Sequence, residues 1–254
     1  MRTGKLHNIL KRTAFTSTII PPRTVSKPNA PPEEQIVSLL LTIPVGTRQE
    51  TSKTHGISNL IKNCLFLSNR NDSRIAIAKE TELQAANLGA FLDRERIMVY
   101  CNVPKRNVQK MFKFLVGIVG NCEYLQNEFE DGKKLAINNW NTYQCCAKRV
   151  IQEGLHHVAF RNGLGNSIFT EPHVIDKVDL KQMQEYKTLL LQSLKPDSIL
   201  AHIDGMQLEE WEQLLNDTKI KERIDLFFPT KTRNEGKSGV EKSKYYGGEL
   251  RISS

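Results

Sequence analysis

The chain has 254 residues, of which 39% are hydrophobic and 25% are charged. This composition is typical of a globular protein and excludes a fibrous or largely disordered one, and the length suffices to bury a sizeable core. The longest apolar run, over 36–46, is interrupted by Ser38 and Thr42. It therefore falls short of the ~20 residues that a membrane-spanning helix requires.

Most of the positive charge lies at the N-terminus. The formal net charge is +8, and residues 1–27 carry six Lys or Arg, seven Ser or Thr and no acid, so the rest of the chain carries only about +2. Such a segment is typical of a mitochondrial transit peptide, which binds an anionic membrane surface as an amphipathic helix. We predict a transit peptide over 1–27, with a disordered basic tail as the alternative, and a Pro-rich connector over 28–35.

Hydrophobic periodicity predicts the elements of the first half of the domain. An apolar, β-rich run predicts a buried strand over 36–45, and apolar residues at helical spacing predict a helix around 57–64. A second helix is predicted over 73–86, ended by Asn87 and Gly89. A strand over 96–103 follows, and Pro104 can open a helix whose buried face comprises Val108, Met111, Phe112, Leu115 and Val119.

The second half of the domain is predicted to be largely helical. A long helix is expected over 147–160, with Ile151, Leu155, Val158 and Ala159 on one side. Asp179 and Gln182 form a capping box for another helix. A strand over 198–203 and a helix over 208–215 complete an α+β domain over 36–228, in which helices cover one sheet. Residues 229–254 are predicted to form a basic loop and a terminal strand.

Several polar features are predicted to be structural. The five cysteines contain no C-x-x-C pair, which favours reduced, mostly buried thiols. His156 and His157 are neighbours on a helix and point about 100° apart, so they do not share one ligand position. The Gly163-Leu164-Gly165 turn follows a helix, which is the wrong context for a phosphate loop. A basic helix face lacks interleaved aromatic residues, so no nucleic-acid partner is expected; it comprises Lys105, Arg106, Lys110 and Lys113.

Residues 56–67 (GISNLIKNCLFL) resemble the signature of pitrilysin-type metallopeptidases, G-x-x-H-x-x-E-H-x-x-F. In active members the two His bind zinc and the Glu is the general base, and this chain has Asn59, Asn63 and Lys62 at those positions. An amide is a feeble zinc ligand, and a Lys ammonium would repel a dication and cannot replace the carboxylate base. The third ligand of the family would fall near Glu130 or Asp131. We therefore predict no catalytic residue, no metal site and no cofactor.

Further segments resemble the mitochondrial core proteins of ubiquinol–cytochrome c reductase (complex III), and most specifically the core protein 2 branch. These segments are 45–50 (VGTRQE), 82–95, 98–100, 150–166 (VIQEGLHHVAFRNGLGN) and 244–251 (KYYGGELR). The resemblance implies a mostly antiparallel sheet covered by helices and a chain truncated to roughly the first half of the family's length. It also implies a non-catalytic subunit on the matrix side of the inner membrane, without a transmembrane helix, that binds a core protein 1-like subunit and other complex III subunits.

Two alternatives remain open at this point. The first is a metalloendopeptidase-family protein in mitochondrial presequence processing, either active or as a non-catalytic binding partner. The second is a partial duplicate that binds core-family partners or presequences without joining the respiratory complex. An unfinished sheet edge in such a protein would favour recruitment of a partner strand.

Overall fold

A computed structural model describes residues 34–69, 72–120, 124–193, 200–215 and 243–249. The predicted transit peptide, most of the predicted connector and most of the predicted basic loop lie outside these residues. Within them, four strands form one antiparallel sheet, in the order β2-β3-β1-β4. The strands are β1 (Ile36–Ile43), β2 (Asn87–Leu92), β3 (Ile97–Pro104) and β4 (Leu200–Asp204).

The described residues also contain eight α-helices, so the predicted α+β class with an antiparallel sheet is confirmed. None of these helices is both long and apolar enough to cross a bilayer. The helices are α1 (Ile57–Cys64), α2 (Arg74–Leu83), α3 (Val108–Gly120), α4 (Gln126–Gln144), α5 (Ala147–Phe160), α6 (Pro172–Ile175), α7 (Leu180–Ser193) and α8 (Leu208–Leu215).

β1 is the central strand of the core because β3 and β4 pair with its two edges. Its side chains alternate strictly, and every second one, from Val37 to Ile43, is buried. β3 is buried along nearly its whole length. Alternation in β1 is what a sheet produces when helices cover one face, whereas continuous burial in β3 indicates that both of its faces are covered.

α3 packs its apolar stripe on the sheet, and all five residues predicted for its buried face are buried. Phe112 contacts Trp211 of α8 edge to face, with ring centroids 5.0 Å apart. Pro104 ends β3, and a 3₁₀ turn over Lys105–Asn107 separates it from α3. The predicted opening of the helix at Pro104 was therefore wrong by one turn.

The prediction of a helix over 73–86, stopped by Asn87 and Gly89, was wrong at its C-terminal end. α2 ends at Leu83, and Ala85 adopts the left-handed conformation, with φ of 51°. Asn87 then begins β2, which pairs with β3. Gly89 lies under the Tyr100 ring, and a Cβ there would come within 2.3 Å of that ring, so the glycine serves close packing within the sheet.

The predicted bounds of α5 are confirmed, but the apolar side predicted for it is only partly buried. Ile151 is 48% exposed and Leu155 is 53% exposed. The part of this side of α5 that is covered is its last turn, against which the described segment 243–249 packs. There the Tyr246 backbone N–H donates to the Ala159 carbonyl oxygen at 2.7 Å, and Gly248 lies against Val158.

A buried ion pair fixes α5 to the loops beside the sheet. Arg94 Nη2 donates to Glu153 Oε1 at 2.7 Å, and both side chains are less than a tenth exposed. The guanidinium also donates to the Leu164 carbonyl oxygen, while Glu153 Oε2 accepts from Ser167 Oγ and from the Ile168 backbone N–H. These bonds compensate the desolvation of both charges, which a buried pair requires.

Removing one partner of this pair is expected to destabilise the protein strongly. Arg94→Met leaves the Glu153 carboxylate buried without its cation, which should lower the free energy of unfolding by about 3–5 kcal/mol. Arg74→Met is the matched control, because the Arg74–Asp131 pair is about half exposed and should contribute less than about 1 kcal/mol. Urea unfolding measures both values, and equal losses would contradict this assignment.

Candidate functional site

The candidate site is organised by a buried carboxylate at the start of α1. Glu50 follows the short turn after β1, and its side chain is fully buried. Its two oxygens accept the backbone N–H groups of Gly56 and Ser58 at 2.9 and 2.8 Å. A carboxylate at a helix N-terminus satisfies donors that the helix leaves free and favours the helix dipole. Glu50 therefore fixes where α1 begins.

Gly56, the residue before α1, also determines how the helix begins. It has φ of 87°, in the left-handed region that favours glycine. A Cβ at this position would lie 2.5 Å from the Thr170 side chain. The glycine that opens the resemblance to the metallopeptidase signature is thus required by the backbone conformation and by the close packing of Thr170.

α1 places the three signature positions on one face, as the spacing i, i+3, i+4 predicts. Asn59 is buried, at 3% exposure, and Lys62 and Asn63 are partly buried. Asn63 Nδ2 donates to Asn59 Oδ1 at 3.4 Å. The two amides at the positions of the family's zinc-binding His are therefore in direct contact with each other.

The third member of the site is Asn139 of α4, which the sequence analysis missed. Its Nδ2 donates to Asn63 Oδ1 at 3.3 Å. α4 crosses α1 closely, because Gly132 leaves room for the Cys64 sulfur. The signal that could have revealed Asn139 is the helical period of α4, in which it follows the buried residues Phe129, Gly132 and Ala136 on one face.

Glu130 and Asp131, near which the third ligand of the family was expected, pair with residues outside the signature. Glu130 is exposed and pairs with Lys133, while Asp131 pairs with Arg74 and Lys134. Both lie about two turns of α4 before Asn139. Among the described residues, no group of three His, Cys, Asp or Glu is placed to hold a metal ion. The amides and the ammonium at the signature positions do not fit a zinc ion.

Lys62 carries a perturbed charge. Burial lowers the pKa of its ammonium, and no carboxylate in the described part of the chain forms an ion pair with it. An ammonium at the position of the family's general base cannot accept a proton from water. The site can donate hydrogen bonds, and it holds no carboxylate at the position of the family's general base.

The other candidates from the sequence lie elsewhere. His156 Nδ1 hydrogen-bonds the Gln152 carbonyl oxygen at 2.8 Å, and His157 is exposed. In the basic face, Lys105 pairs with Glu210. Of the cysteines in the described ranges, Cys64 and Cys101 are buried, and burial raises the pKa of Cys101 to about 12, whereas Cys145 is exposed. The Gly163–Gly165 turn packs beside α5.

This fold and the position of the signature helix are those of a metallopeptidase-like domain, and comparison with known proteins supports the same class. The sequence model of insulinase, peptidase family M16, matches residues 24–171, more than half of the chain. The chain therefore belongs to peptidase family M16, as the signature at α1 indicates.

Individual relatives are similar at low identity. Cytochrome b-c1 complex subunit 2, mitochondrial, of Cryptococcus neoformans is 23% identical over 96% of this chain and 53% of its own length. Mitochondrial-processing peptidase subunit beta of Bos taurus is 23% identical and human cytochrome b-c1 complex subunit 1 is 25% identical; each match covers 68% of this chain and 35% of the relative. The chain thus spans about half the length, or less, of these relatives.

The Glu50 cap generates a pH-dependent contribution to stability. A hydrogen bond to Glu50 raises the pKa of His55, whose Nδ1 lies 3.3 Å from Oε2. Below the unfolded pKa of about 6.5 this stabilisation is fully present, and it is lost as the pH rises through the raised folded pKa. The difference in free energy of unfolding between the wild type and His55→Gln should therefore be larger at about pH 5.5 than at about pH 8.5.

The control for this measurement is His173→Gln. His173 also lies near a carboxylate, that of Glu171, but both side chains are more than half exposed. Its substitution should change stability little at either pH. A His55→Gln effect that stays constant or grows with pH would contradict the assigned ion pair.

The third-ligand assignment can be tested by rebuilding a zinc site. The N59H/K62E/N63H/N139E variant should bind one zinc ion per chain, because two His and one carboxylate would then converge from α1 and α4. The N59H/K62E/N63H variant retains Asn139 together with the native Glu130 and Asp131. It should bind zinc at least about tenfold more weakly, as measured by chelator competition with circular dichroism as a check on folding. Equal affinities would contradict the Asn139 assignment.

Proposed function

We propose that this chain is a non-catalytic core protein 2-like subunit or paralogue of mitochondrial complex III, which acts by assembly with other proteins and not by peptide hydrolysis. The observation that carries this proposal is the chemistry at the signature helix. Amides, Asn59 and Asn63, occupy the positions of the two zinc-binding His in the signature, and an ammonium, Lys62, occupies that of the base; the amide of Asn139 contacts Asn63. An amide is a feeble ligand for catalytic zinc, and an ammonium cannot accept the proton of a zinc-bound water.

The similarity to cytochrome b-c1 complex subunit 2 supports the assembly role, because it extends over 96% of this chain and not over the signature region alone. The relatives also include mitochondrial-processing peptidase subunits beta, which match about two thirds of the chain. Because Lys62 stands in place of the carboxylate base, these matches support descent from a common scaffold more than shared proteolytic activity.

The similarity to cytochrome b-c1 complex subunit 2 also supports a location and partners for this chain. The proposed protein enters the mitochondrion through a transit peptide over 1–27 and lies on the matrix side of the inner membrane, as a peripheral subunit. A Pro-rich connector over 28–35 leads into the inactive peptidase-like domain over 36–228, followed by a basic loop and terminal strand over 229–254. Its proposed partner is a core protein 1-like subunit. A permanent subunit contact of this kind buries more than about 2,000 Å² in total.

Native-gel fractionation tests the assembly role. A C-terminally tagged chain, expressed in cells with functional mitochondria and released with mild detergent, should migrate with complex III subunits, as identified by mass spectrometry across the gel. A tagged matrix protein of similar size is the control and should migrate as a free protein. Recovery of the chain only at the mass of a monomer would contradict the proposal.

A further inference from the structure

The degenerate signature has more hydrogen-bond donors than acceptors available. The amide oxygens of Asn59 and Asn63 each accept a hydrogen bond from a neighbouring amide, so both are engaged within the site. Asn59 Nδ2, by contrast, is buried and has no hydrogen-bond partner among the described residues. A buried N–H without a partner loses its bonds to water and carries a free-energy cost. The site therefore offers a donor for an acceptor that the described chain does not supply.

Lys62 adds positive charge to the same helix face. It lies one turn after Asn59 and is partly buried. The acids of α4 near the crossing with α1 have other partners, since Glu128 accepts from Ser68 Oγ and Asp131 pairs with Arg74 and Lys134. None of the described carboxylates forms an ion pair with Lys62, so an external anion would supply the counter-charge that this partly buried ammonium lacks.

We propose that Asn59, Lys62, Asn63 and Asn139, here called the amide–lysine site, bind a carboxylate group. One carboxylate oxygen would accept from Asn59 Nδ2 and the other would pair with Lys62 Nζ, because a carboxylate has two oxygens that accept in different directions. Charge-assisted hydrogen bonds of this kind are shorter and stronger than neutral ones. The amide–lysine site would therefore bind an anion where active members of the family bind a zinc cation.

The carboxylate belongs to one of two sources: a small free acid, or the acidic side chain or C-terminus of a peptide. This binding goes beyond the proposed assembly role and does not depend on it. It can be measured with the isolated full-length chain, so failure to join complex III and failure to bind a carboxylate are separate results.

Acetate titration of the full chain tests the site. The probe is sodium acetate, with sodium chloride at matched ionic strength as the reference, and the readout is the chemical shift of the asparagine side-chain amides. We expect saturable acetate binding that Lys62→Met weakens at least about tenfold and Lys62→Arg retains. Lys148→Met, an exposed position on α5, is the matched control and should leave binding unchanged.

Two peptide arms distinguish the sources. The first peptide has no acidic side chain and a free C-terminus, and the second has one internal Glu and an amidated C-terminus. The reference peptide has no acidic side chain and an amidated C-terminus, so it carries no carboxylate. Tighter binding of either carboxylate-bearing peptide than of acetate supports a peptide ligand, and equal binding supports a free acid. The proposal is overturned if the folded chain binds neither acetate nor peptide saturably, if chloride reproduces the shifts, or if Lys62→Met binds as the wild type does.

Discussion

The buried carboxylate of Glu50 is the contact on which the geometry of the site depends. It joins the end of the central strand to the first turn of α1 through two backbone N–H groups. The direction of α1 follows from this cap and from the left-handed Gly56, and both are independent of what the helix carries on its polar face. A scaffold built in this way can keep its shape when the residues at Asn59, Lys62 and Asn63 change.

The residues that pack α1 and α4 into the core are also different from those at the ligand and base positions. α1 is buried through Ile57, Leu60 and Cys64, and α4 through Phe129 and Ala136, none of which occupies a ligand or base position. These apolar contacts provide most of the stabilisation when two helices pack. Substitutions at those positions therefore leave the core contacts in place, which explains how a chain whose signature positions do not fit zinc keeps the fold of family M16.

The sequence predicts elements best where a local pattern and a local terminator agree. The bounds of α5 and α8 were predicted correctly from apolar periodicity, and β1 was recognised because β-branched and aliphatic residues make up most of it. β2 was missed because its six residues include Asn87 and Gly89, which locally favour a helix stop, whereas pairing with β3 makes them a strand. The exposure of Ile151 and Leu155 also depends on tertiary neighbours, which periodicity in one helix does not contain.

Three of the four residues of the amide–lysine site were named from the sequence. Asn59, Lys62 and Asn63 were identified because they lie within one short motif, whereas Asn139 is contributed by another helix and is brought to Asn63 only by folding. Its place depends on Gly132, whose missing side chain lets α4 rest on Cys64. The spacing of the two helices, and with it the reach between their amides, is thus controlled from a position that bears no polar group. The charge of the site and the distance between its two helices can therefore change through substitutions at different residues.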